Sequence, residues 1–157
     1  MQLFLKGFIM DHGDFNLKDS LGHLLGRTTR AMGSLLQNSF VKAGHDVTFE
    51  QWVILVNLWR HNGQFQQQLA DSTYKDKASI TRLVDGLEKR NLVERIPDTI
   101  DRRHKRIYLT SKGKKMQKEL KIMALKAQEK AQQGIQPEDL KICKNVIVKI
   151  YDNISER

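Results

Sequence analysis

The sequence predicts a mainly α-helical fold carrying one small β-hairpin. Three observations predict it. Apolar residues recur at three-to-four spacing over most of the chain, the period of an amphipathic helix. Only two prolines, Pro97 and Pro137, interrupt 157 residues, so long helices are tolerated almost throughout. Between residues 92 and 109 the pattern changes to that of short strands.

Leu21, Leu24, Leu25, Thr28, Met32, Leu35, Leu36 and Phe40 mark a first helix over 16–43. Asn16 followed by Asp19 supplies a start signal and Gly44 a stop. Thr48-Phe49-Glu50-Gln51 has the capping-box pattern and opens a second helix. Its apolar stripe is Trp52, Leu55, Val56 and Trp59, and Gly63 follows its end. A short third helix, 66–73, is anchored by Leu69 and Ala70. Asp76 caps a fourth, 77–90, with Ile80, Leu83, Val84 and Leu87 on its buried face. Asn91 stands where a helix end needs a left-handed residue, and Leu92 can pack back.

Residues 92–96 and 106–109 read as two strands, joined by a charged link from Pro97 to Lys105 that is too polar for a core. Thr110 caps a fifth helix, striped by Met116, Leu120, Met123, Ala127 and Ala131 and broken at Gly134. Pro137 suits a first helical position, with Glu138 and Asp139 in the favourable first turn. Leu140, Cys143, Val146, Ile147, Ile150 and Ile154 stripe the last helix. Short helices followed by a basic hairpin make a winged helix-turn-helix over 48–110. The long helices at 16–43 and 114–154 belong to the same single domain, 1–157.

Charge narrows the function. Residues 75–115 hold 13 basic and 6 acidic side chains, a net of +7, out of +9 for the chain. A localised basic patch favours a polyanion. Within it, helix 77–90 has the two faces a recognition helix needs: one apolar, the other bearing Lys77, Ser79, Thr81 and Arg82 near its start. Arg82 has the fork geometry for guanine, while Lys77 suits phosphate. The hairpin tip, Asp101-Arg102-Arg103-His104-Lys105-Arg106, gathers four permanent positive charges. Arginine in such a place can enter a narrow minor groove, and Asp101 is placed to orient one of them. Against this stand an ordinary solvated helix face, and a module that uses the basic face for a protein partner or RNA.

The run Ser79-Ile80-Thr81-Arg82-Leu83-Val84-Asp85-Gly86-Leu87-Glu88-Lys89-Arg90 resembles the recognition helix of MarR-type regulators. The wing pattern of that family, Asp-x-Arg followed by Leu-Thr-x-x-Gly, is met at Asp101, Arg103, Leu109, Thr110 and Gly113. The resemblance implies a DNA-binding transcription regulator, with helix 77–90 in the major groove and Arg103 in the minor groove. It implies a homodimer through the terminal helices, whose apolar stripes exceed what one small winged domain can cover. Twofold symmetry then calls for a palindromic double-stranded operator. It also implies a repressor released by a small aromatic or phenolic ligand, bound between the dimer helices and the DNA-binding lobe. His23, Arg27, Trp52 and Trp59 are the candidate lining, although each has a plainer role in core or solvent. Two departures are Ala78, where the family often has Ser or Thr, and Asn91, where it often has Gly.

Cys143 is the only cysteine. That fits a reducing cytoplasm. A redox sensor at Cys143 is an alternative reading, but on an apolar stripe without a basic neighbour the thiol reads as inert packing. The histidines are scattered, no metal-ligand spacing or nucleotide loop occurs, and neither an enzyme nor a cofactor is expected. Met1–Met10 lacks the layout of a signal peptide, and no apolar run is long enough to span a bilayer.

Overall fold

A computed structural model describes residues 16–155. The expectation on Met1–Met10 lies outside the described residues. A 3-10 turn, Leu17–Asp19, leads into α1 (Leu21–Lys42). Asn16 caps that turn, and Ser20, not Asn16, caps α1 by accepting from the His23 amide. At its other end Gly44 takes φ +79°, as a helix stop requires.

The capping box of α2 (Phe49–Arg60) is complete: Thr48 Oγ1 accepts from the Gln51 amide at 3.1 Å, and Gln51 Oε1 from the Thr48 amide at 3.2 Å. Its buried face differs from the expected stripe. Gln51, Ile54, Leu55 and Leu58 are buried, whereas Trp52, Val56 and Trp59 are half-buried. The helix is apolar nearly all round, so periodicity alone does not choose its inner face.

A strand that the pattern did not predict follows, β1 (Gln64–Phe65). Next come α3 (Gln66–Thr73), α4 (Lys77–Lys89), β2 (Val93–Pro97) and β3 (Lys105–Leu109). The sheet is antiparallel with order β1-β3-β2; Gln64 stands opposite Ile107 and Val93 opposite Leu109. Asn91 ends α4 with φ 56°. Its amide donates to the Glu88 carbonyl at 2.9 Å and that of Leu92 to the Leu87 carbonyl at 3.0 Å, which is a Schellman end.

The fifth helix is split into α5 (Ser111–Lys115) and α6 (Gln117–Ala131) at Met116. The Gly113 carbonyl, whose helical partner would be the Gln117 amide, accepts the Trp59 indole N–H at 3.0 Å. Gly113 also lies against the residue that leads into β2: a Cβ there would meet the Leu92 carbonyl oxygen at 2.1 Å. The last helix is α7 (Pro137–Ile154), with proline in its first turn.

One core joins α1, α2, α3, α4, the sheet and α6, through Phe40, Ile54, Leu58, Leu69, Ile80, Leu87, Ile107 and Leu120 among others. No residue of α7 is buried, and Cys143 on it is exposed, not packed as its stripe suggested. The stripe is apolar, but within one chain it has little to lie on. Ile142, Val146, Ile147 and Tyr151 therefore face outward, as do Leu21, Leu24 and Met32 of α1. No helix among the described residues is long and apolar enough to cross a membrane.

Candidate nucleic-acid interface

Helix α4, the expected recognition helix, is held from below and fixed at its start. Ile80, Val84 and Leu87 are buried, and the Asp76 carboxylate accepts from the Ser79 amide at 2.8 Å and hydroxyl at 2.7 Å. These contacts, the Ser79 hydroxyl first, lower the Asp76 pKa. They also commit the Ser79 side chain, which further accepts from Arg82 Nη2 at 3.2 Å. Thr81 is half-buried; its hydroxyl donates to the Lys77 carbonyl and accepts from Gln66 Nε2 at 3.0 Å. Of the four expected recognition residues, Lys77 and Arg82 therefore project most freely, and both are exposed. Ala78 beside them is exposed as well.

The wing is more structured than its composition suggests. The charged link was expected to lie wholly outside the core, yet Asp98 is only 6% exposed. Its carboxylate accepts from the amides of Ile100 (2.9 Å) and Asp101 (3.1 Å) and from Arg106 Nε. Arg106 is therefore not one of the outward charges of the tip. It lies over the Phe65 ring, 4.1 Å from the centroid, and donates to the Gly63 carbonyl at 3.1 Å. A buried carboxylate needs a charge partner, and Arg106 is the nearest one that β3 can supply. Sequence spacing gives no sign of this pair; the only clue was an aspartate directly after a strand proline.

Asp101 grips Arg103. It accepts from the Arg103 amide at 3.0 Å, from Nε at 2.9 Å and from Nη2 at 2.7 Å. The guanidinium holds the Asp101 carboxyl below its usual range, and the carboxylate raises Arg103. Arg103 nonetheless stays 87% exposed at its side chain. His104 is exposed, 3.7 Å from Asp101 through Nε2 and edge-on to Phe65.

Charge pairing in this region sorts the side chains. Asp85 and Glu88 both accept from Arg95, tying α4 to β2, while Asp98 takes Arg106 and Asp101 takes Arg103. Among the described residues, Lys77, Arg82, Arg102 and Lys105 form no ion pair. A notch of about 640 Å³ brings Lys77 of α4 together with Arg103, His104 and Lys105 of the wing and Gln66–Gln68 at the start of α3. Its walls carry amide and cationic donors from three elements, a lining suited to phosphate and base edges.

A second region lies on the far side of α2. Two hollows of about 300 and 320 Å³ meet at Trp52. The first is bordered by Trp59, Arg60, Lys121 and Leu125, the second by Met32, Leu36, Phe49 and Ala127. Trp52 Nε1 is buried there with no hydrogen-bond partner among the described residues. His23 and Arg27 line neither hollow; they sit nearer the start of α1, where Arg27 is exposed. The described residues contain no group of three or more metal-ligating side chains.

Comparison with known proteins gives the same picture of the lobe. The model of the MarR family matches residues 47–105. Among solved structures, the transcriptional regulator PA3341 is 30% identical, with 88% of this chain and 100% of that chain covered, at a TM-score of 0.74. A probable transcriptional regulator from Pseudomonas aeruginosa is 25% identical over 86% of this chain and 99% of that one, at 0.78. BpsR of Bordetella bronchiseptica, whose DNA binding is regulated by 6-hydroxynicotinic acid, is 22% identical over 89% and 99%, at 0.80.

Proposed function

Because this chain belongs to the MarR family of transcriptional regulators, we propose that it is a homodimeric cytoplasmic repressor which binds a palindromic double-stranded operator and leaves it when a small aromatic or phenolic ligand binds. The observation that carries the DNA reading is the notch in which Lys77 of α4 meets Arg103, His104 and Lys105 of the wing, with Arg82 and Arg102 exposed on the same two elements. Lys77, Ser79, Thr81 and Arg82 are assigned to the major groove, and Arg102, Arg103, His104 and Lys105 to the adjacent backbone and minor groove, with Asp101 orienting Arg103.

The dimer reading is supported by α7, which buries none of its residues and turns Ile142, Val146, Ile147 and Tyr151 outward. The ligand reading is supported by the hollows at Trp52: they are mostly apolar in their side chains and hold an indole N–H that has no partner among the described residues, a lining that fits a flat ring with a polar substituent. It assigns Trp52 and Trp59 to the pocket and sets aside His23 and Arg27. The redox alternative has one observation in its favour, the exposure of Cys143 in the single chain, but the proposed dimer would cover the face on which it stands.

The test is selection of duplexes from a random-sequence pool, followed by affinity at several salt concentrations. We expect a palindrome with half-sites about one helical turn apart and a steep fall in affinity with salt. Arg82→Ala should cost about 1–3 kcal/mol and relax preference at one base pair of each half-site. Enrichment of no sequence, or equal binding to unrelated DNA, would overturn the proposal.

A further inference from the structure

Ile100 is the most exposed large apolar side chain of the described residues, at 92%. Exposure of one isoleucine means little by itself. Here the backbone beneath it is built with unusual care. The Asp98 carboxylate accepts from the Ile100 amide and the next one, and the Asp98 amide donates to the His104 carbonyl at 2.9 Å. Arg106 then ties Asp98 to Gly63 and Phe65, at the root of α3. The outcome is a rigid mount that presents one apolar side chain on the same tip as Arg103.

We infer that Ile100 is an apolar minor-groove contact that helps set sequence preference, with Asp98 and Arg106 as its positioning residues. The inference rests on the DNA-binding reading above. Deoxyribose carbons line the walls of a minor groove, and proteins that bind there use apolar side chains against sugars and base steps. The floor at an A·T pair is open, whereas a G·C pair projects the guanine amino group. An isoleucine on the floor therefore selects against G·C under the wing. It neutralises no phosphate, so it contributes affinity without contributing to the salt dependence.

The experiment uses the full chain and a duplex selected by it from a random pool. Half-burial of one isoleucine corresponds to roughly tenfold in affinity, so Ile100→Ser should bind roughly tenfold more weakly at every salt concentration, with an unchanged salt slope. Ile100→Val should recover most of the loss. In wild type, replacing A·T pairs under the wing by G·C should weaken binding, while inosine·C, which lacks the minor-groove amino group, should not. In Ile100→Ser that G·C penalty should shrink, and Asp98→Asn should reduce it in the same way. If a duplex is recovered but Ile100→Ser binds within about twofold of wild type, or keeps the full G·C penalty, this inference is overturned and the DNA reading stands. If the pool yields no preferred duplex, both fall together.

Discussion

The Asp98 carboxyl is held at about 2, down from its ordinary 3.8, chiefly by the Arg106 guanidinium and then by the amides of Asp101 and Ile100. A carboxyl with a lowered folded-state pKa contributes stability that is fully present above its unfolded value and lost as pH falls through the folded one. The wing should therefore keep its order from neutrality down to about pH 4 and lose it as pH approaches 2. Amide resonances of Ile100 and Asp101, titrated by NMR from about pH 5 downward, should share one inflection near the lower value, absent in Asp98→Asn. Gly113 gives a second test. The Leu-Thr-x-x-Gly pattern marked this glycine in the sequence, but its reason lies twenty-one residues away, in the Leu92 carbonyl that a methyl group would strike. Backbone cannot swing aside as a side chain can, so Gly113→Ala should lower unfolding free energy by about 1–3 kcal/mol, read from urea melts.

Elements with local signals were legible in the sequence, and those fixed by distant partners were not. The Thr48 box, the Asp76 cap and the left-handed Asn91 each act within a few residues, and each stands where it was expected. Thr48→Ala should accordingly cost about 1 kcal/mol, measured by thermal or urea unfolding, because two amide donors lose their acceptors or orientation. Strand β1 is two residues long and exists only because β3 lies beside it, so no periodicity could announce it. The break at Met116 depends on Trp59 reaching across from α2, and the burial of Asp98 on an arginine eight residues later. The same limit applies to the recognition helix. Its polar face was legible from spacing, but the internal commitments of Ser79 and Thr81 were not, because they depend on Asp76 and Gln66.

For the molecule as a whole, the terminal helices carry the open question of assembly. A helix as apolar as α7, with none of its residues buried, is poorly stabilised in a single chain. We expect a dimer at micromolar concentration in sedimentation equilibrium. Val146→Glu combined with Ile147→Glu should raise its dissociation constant about a hundredfold or more, since both carboxylates would be desolvated on association. A monomeric wild type would remove the basis for a palindromic site.

The local pairing of Asp85, Glu88, Asp98 and Asp101 has one more consequence. Arg95 screens both Asp85 and Glu88 at short range, Arg106 screens Asp98 and Arg103 screens Asp101, so the unpaired Lys77, Arg82, Arg102 and Lys105 weigh heavily in the far field on that side of the lobe. That field has a direction. A molecule drifting toward a duplex would be turned before it touches, and its reading edge would arrive first. The gain would appear in the speed of encounter, falling as ions are added, more than in the lifetime of the finished complex.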